Sequence, residues 1–227
     1  MAKTFRNLAL HEISAWALTG GVAIELHILK HGGEPILRPL HDLDFITGSF
    51  DFIPGTLGRR LLLRHVHPHD PPGKNMLQGV DPDTQVRLDV FRAYGLETER
   101  ASLTDVAGTV VKIVSMEDLV ARHARLNWDL MEGKHVAPKY ARDFLRLIDL
   151  VAIDKVESIW QEHRKPQSLE SFAETASLLS GIIASRPELL ISPAYSTDIH
   201  EVCPRCHGSE TFQLADASQI LSILGYC

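Results

Sequence analysis

The sequence predicts an α+β fold: a mixed β-sheet with flanking helices, then a helical region, then a small cysteine-bearing tail. Three observations carry that expectation. Short apolar runs with strand character fill the first half, with two helical runs among them. Helical periodicity takes over from Ser115 to about Ser185. All three cysteines, Cys203, Cys206 and Cys227, lie beyond residue 200. The expected organisation is a mixed α/β core over residues 1–115, a helical region over 116–186 and a tail over 187–227.

Each element has its own signal. Leu8 to Ala15 has helical spacing, and Trp16-Ala17-Leu18-Thr19 reads as a buried strand ending at Gly20-Gly21. Val22 to Leu29 reads as a helix whose polar positions, Glu25 and His27, fall away from an apolar stripe. Gly32-Gly33-Glu34-Pro35 ends it. Leu40 to Ile46 and Arg60 to His67 read as strands, and Asp70-Pro71-Pro72-Gly73 turns the chain. Gln85 to Ala93 is the clearest strand, with Val86, Leu88 and Val90 on one side and Arg87, Asp89 and Phe91 on the other. Thr109 to Val114 is a last short strand. Ser115 then caps a helix running to about Leu130, and helical spacing returns at 138–153 and 168–185.

Composition narrows the function. The chain has 227 residues, 44% of them hydrophobic, enough for one sizeable core and an appended piece. A formal net charge of −6 argues against a broad nucleic-acid surface. The N-terminus lacks the apolar stretch of a secretory signal, and no segment reaches the roughly 20 apolar residues of a membrane span. A cytoplasmic protein without a membrane segment is expected.

Chemistry concentrates in the acids and the glycine pair. In Asp42-Leu43-Asp44 the two carboxylates share one face of a strand, about 7 Å apart at the backbone. Asp89 sits on another strand between Leu88 and Val90. Acids gathered on neighbouring strands repel and call for a cation, and Mg²⁺ (or Mn²⁺) suits a set of few carboxylates. Thr19-Gly20-Gly21 closes a strand and opens a helix, where bare backbone and free N–H groups suit a phosphate. A phosphate cradle beside a metal-binding acid pair is what phosphoryl or nucleotidyl transfer requires.

Leu18-Thr19-Gly20-Gly21-Val22-Ala23, Arg38-Pro39-Leu40-His41-Asp42-Leu43-Asp44-Phe45 and Arg87-Leu88-Asp89-Val90-Phe91 together resemble the nucleotidyltransferase superfamily with the polymerase-β-like fold. Within it, the chain resembles the aminoglycoside nucleotidyltransferase and AbiEii-type toxin group. The resemblance spans roughly residues 10 to 150, so residues 1–115 would be the catalytic core. It implies that Asp42, Asp44 and Asp89 hold Mg²⁺ and act in catalysis, with Asp89 deprotonating or orienting the attacking hydroxyl. It also implies that Thr19, Gly20 and Gly21 contact the phosphates of a nucleoside triphosphate such as ATP. Arg38, His41 and Lys139 are further phosphate candidates, each weighed against a surface role. The acceptor would be a hydroxyl on a small molecule, protein or RNA. The rival reading is a non-catalytic or regulatory module of a toxin–antitoxin system, with the helical half facing a protein partner; a metal-dependent glycosyltransferase is a third.

Other residues invite attention. His65, His67 and His69 alternate, but Pro68 interrupts pairing, so a strand end is expected rather than a zinc site. Arg122, His123 and Arg125 form a basic patch early in a helix, read as a solvated face ahead of one leaning over the nucleotide. Cys203-Pro204-Arg205-Cys206 has zinc-knuckle spacing, with Cys227, His200 and His207 as further ligands. Structural Zn²⁺ and free thiols both fit that tail.

Overall fold

The computed structural model describes residues 1–33, 42–65, 76–106, 108–190 and the strand at 213–214. These residues form two compact units. The first holds residues 1–22, 42–65, 76–106, 108–113 and 213–214, and the second holds 23–33 and 114–190.

The first unit is built on one mixed sheet. Its strands are β1 (Trp16–Thr19), β2 (Asp42–Thr47), β3 (Leu62–His65), β4 (Met76–Asp81), β5 (Val86–Arg92), β6 (Ser102–Val106), β7 (Thr109–Ile113) and β8 (Gln213–Leu214). Among the described residues their order is β6-β7-β1-β2-β5-β4-β3-β8. The β1–β7 and β2–β5 pairs are parallel and the others antiparallel.

Alternation along the central strands separates two faces. Trp16, Leu18, Leu43, Phe45, Leu77, Leu88 and Val90 share one face, and each is at most 1% exposed. Helix α1 (Ala2–Leu8) lies on it, with the Phe5 ring 6.3 Å from Phe45, which in turn lies 5.6 Å from Trp16. Each such large buried side chain contributes roughly 1.5–3 kcal/mol of apolar transfer. The aspartates occupy the opposite face.

The first helix is earlier than its expected place at Leu8 to Ala15. It ends at Leu8, and residues after it turn through His11 N–H to Leu8 O and Ile13 N–H to His11 O bonds of 2.9 and 3.0 Å. Glu12 accepts hydrogen bonds from both the backbone N–H and the hydroxyl of Ser14. Such local side-chain bonds compete with helix continuation. Strands β4 and β6 and the short α3 (Glu97–Arg100) had no sequence signal.

The division between units falls inside α2 (Gly20–Lys30). The second unit adds α4 (Met116–Asn127), α5 (Pro138–Ile148), α6 (Ile153–Glu157), α7 (Trp160–His163) and α8 (Phe172–Ala184). Ser115 caps α4 by accepting from Asp118 N–H at 3.1 Å, and Ser171 caps α8 through Glu174 N–H at 3.3 Å. Leu119, Phe144, Leu147, Trp160, Phe172 and Leu179 are fully buried, and the Trp160 and Phe172 rings meet edge-on at 5.5 Å.

Two expectations about polar residues are corrected in this unit. Glu25 and His27 do not face solvent; they are 7% and 8% exposed. Glu25 accepts both Arg146 nitrogens, at 2.7 and 3.0 Å, and His27 Nε2 donates to Val114 O at 2.8 Å. Both partners come from distant sequence, so the local polarity pattern misled. Nor do Arg122, His123 and Arg125 form a solvated face. His123 is 4% exposed, donating from Nδ1 to Leu119 O, while Arg125 Nη1 donates to His163 O at 2.7 Å. Among the described residues, no helix is long and apolar enough to cross a membrane.

Candidate functional site

Strand register assembles the site. Asp44 lies directly opposite Asp89 across β2 and β5, and Asp42 lies opposite Arg87. On the far side of β5, Asp89 lies opposite Gln78 of β4; on the far side of β2, Asp44 lies opposite Thr19 of β1. Directly paired residues share a face, so Thr19, Asp42, Asp44, Gln78, Arg87 and Asp89 form one polar field on the sheet.

The three carboxylates converge. One oxygen each from Asp42, Asp44 and Asp89 can be chosen such that all lie within 4.8 Å of one another. Like charges directly opposite destabilise a sheet, so Asp44 against Asp89 requires a compensating cation or donors. Gln78 Nε2 donates to Asp89 Oδ1 at 2.7 Å. Arg87 spans a diagonal, with Nη2 2.6 Å from Asp42 Oδ2 and Nε 3.3 Å from Asp89 Oδ2. Asp89 is buried, while the Asp42 side chain is 28% exposed, so the cluster opens on the Asp42 side.

Gly20 has a steric reason to be glycine. Its φ is +64°, and a Cβ there would stand 2.0 Å from Asp44 Oδ2 and 2.7 Å from Asp44 Cγ. The Asp44 carboxylate thus lies against the first residue of α2, where backbone N–H groups begin an 11-residue helix. Beside it, Thr19 is 3% exposed, and its Oγ1 is buried with no hydrogen-bond partner among the described residues. A buried hydroxyl in that position calls for a ligand oxygen or water.

The remaining sequence candidates stand elsewhere. Lys139 belongs to the second unit, where it is exposed with its ammonium 5.2 Å from the Tyr140 ring centroid. Arg38, His41, His67, His69, His200, Cys203, Cys206, His207 and Cys227 lie outside the described residues. Sequence reasoning missed Arg87 and Gln78 as parts of the site. Alternation already put Arg87 on the same face as Asp89, a signal that was there to use; Gln78 had none, because β4 itself went unrecognised.

No family model matches the sequence, and no curated protein matches it. Solved structures do. An antigenic nucleotidyltransferase-like protein from Paracoccidioides brasiliensis is similar over 83% of this chain and 89% of its own, at 20% identity and a TM-score of 0.50. The Megavirus polyadenylate synthase is similar over 66% of this chain and 32% of its own, at 10% identity and a TM-score of 0.44. The antibiotic-resistance factor ANT(2'')-Ia is similar over 82% of this chain and 93% of its own, at 15% identity and a TM-score of 0.42. Resting on the first of these, the fold is nucleotidyltransferase-like: an α+β chain with a mixed sheet and flanking helices.

The residues present suit a divalent ion. The donors are hard carboxylate oxygens, they converge, and a buried hydroxyl without a partner among the described residues stands beside them.

Proposed function

We infer that this chain is a divalent-metal-dependent nucleotidyltransferase, moving an NMP group from an NTP to a hydroxyl acceptor. One observation carries the reading: three carboxylates with oxygens within 4.8 Å, delivered by adjacent strands of a nucleotidyltransferase-like fold. Asp42, Asp44 and Asp89 would hold Mg²⁺ or Mn²⁺, which would neutralise the triphosphate and polarise its α-phosphorus.

The chain's own groups do the rest. The N-terminus of α2, opening at Gly20 and Gly21, offers N–H groups to phosphate oxygens, and Thr19 Oγ1 donates to a ligand oxygen beside Asp44. Asp89, aimed by Gln78, orients the acceptor hydroxyl and takes up its proton. The hydroxyl oxygen bonds to the α-phosphorus as the bond to pyrophosphate breaks. Catalysis then rests on positioning and charge neutralisation.

The test incubates the protein with α-labelled NTPs, Mg²⁺ and a panel of sugar, protein and RNA-end hydroxyls. Label transfer with pyrophosphate release that Asp44→Asn abolishes is expected. Absence of transfer to every acceptor, with Mn²⁺ binding indifferent to Asp44→Asn, would overturn the reading.

A further inference from the structure

Arg87 lies in contact with two of the three carboxylates, and register explains how it links them. Asp42 and Asp89 are not opposite each other; they are diagonal neighbours across β2 and β5, two residues out of step. Diagonal neighbours stand about 7–8 Å apart at the backbone, too far for a direct bond between short side chains. Arg87 is the residue facing Asp42 and the one two before Asp89 on the same strand face. Its side chain therefore runs along β5 and meets both acids, through Nη2 at 2.6 Å and Nε at 3.3 Å. With 24% of that side chain exposed, it is anchored in the field rather than splayed into water.

We propose that Arg87 is a positioning residue that sets the strength of divalent-ion binding: its guanidinium bridges Asp42 and Asp89 and supplies a resident positive charge that an incoming ion must share oxygens with. This rests on the reading of the three acids as a metal site. Two effects oppose each other. As a clamp, Arg87 organises the acids and strengthens binding. As a cation within contact of the same oxygens, it repels a dication and weakens binding. The repulsion wins, because β2 and β5 are held in register by their backbones whether or not the clamp is present, while unit charges a few ångströms apart in a partly buried site interact strongly. The arrangement thus keeps the ion exchangeable, which suits a site that must release pyrophosphate with its counter-ion.

The test measures Mn²⁺ binding to the full chain by calorimetry and by electron paramagnetic resonance, for the wild type, Arg87→Gln and Arg87→Lys. Arg87→Gln removes the charge and is expected to bind Mn²⁺ about tenfold or more tightly than wild type. Arg87→Lys keeps the charge but has no planar fork to span both acids, and its Kd is expected within about threefold of wild type. Melting in EDTA gives an independent readout: Arg87→Gln melts lower than wild type, and saturating Mn²⁺ raises its midpoint by more, as tighter ligand linkage requires. Arg87→Met, which keeps the aliphatic stem, replaces Arg87→Gln if the latter does not fold. Mn²⁺ binding to every variant, with Arg87→Gln equal to or weaker than wild type, overturns the role of Arg87 and leaves the metal site standing. No Mn²⁺ binding to any of them overturns the metal site, and this inference with it.

Discussion

The sheet unit and the helical unit both bury carboxylates, and they treat them differently. In the helical unit two buried acids, Glu25 and Asp118, are held by close donors. Glu25 accepts a two-nitrogen fork from Arg146, and the oxygens of Asp118 go to the Ser115 hydroxyl at 2.5 Å and His163 Nε2 at 2.9 Å. In the sheet unit three acids converge within 4.8 Å, the Arg87 guanidinium lies against two of them, and a buried hydroxyl beside them has no partner among the described residues. Matched groups fix helices in place; converging acids leave a polar focus for something that binds. Burial of charge alone does not distinguish a structural pair from a site.

The sharpest way to break that contrast is to neutralise one acid in the sheet unit and to remove the partner of one acid in the helical unit. Asp44→Asn is expected to lower transfer by about 1,000-fold, since charge stabilisation by a metal is worth several kcal/mol, with far-ultraviolet circular dichroism unchanged. Arg146→Met is expected to do the reverse. It leaves Glu25 buried without its fork and costs on the order of 3 kcal/mol of stability, read by urea denaturation, with nucleotide transfer by the remaining folded protein little changed.

Gly20→Ala sharpens the account of the sheet site. It combines a left-handed backbone with a contact on Asp44 and is expected to destabilise by about 1–3 kcal/mol. Combining it with Asp44→Ala should recover the steric part, so a double-mutant cycle reads the contact directly. Full additivity of the two changes would show that Asp44 does not press on Gly20.

The smallest effect concerns pH. Burial lowers the His27 imidazole below its ordinary value near 6.5, outweighing the raising effect of its bond to Val114. The unfolded chain therefore binds more protons between the two values. The His27 contribution is complete above about pH 6.5 and is lost as pH falls through the lowered folded value. Denaturation midpoints at pH 5 and pH 7.5 should differ less in His27→Gln than in wild type. An equal difference would move the acid sensitivity to other groups.

The central strands were readable from alternation alone. Leu43 and Phe45, like Leu88 and Val90, are apolar on one side, which put Asp42, Asp44 and Asp89 on the other. The capping of α4 was also readable, because Ser115 and Asp118 interact within one turn. What escaped depended on remote partners. Glu25 meets Arg146 across 121 residues, and His27 meets Val114 across 87, so a helix judged by its own stripe gave the wrong polarity. Strand β4 escaped because Gly79 breaks the alternation, and β6 because Leu103 lies 72% exposed on an edge strand. Without β4 there was no route to Gln78.

The register of β2 against β5 also bears on how this protein fails. Side chains alternate, so a slip of one residue would drive Asp42 and Asp44 into the layer where Leu43 and Phe45 are at most 1% exposed, and lift those two apolar groups among the acids. Charges forced into that layer cannot be tolerated. A mispaired molecule would therefore not persist as an inert lookalike; it would open and be cleared by proteases, so that cellular turnover itself screens for correctly threaded copies.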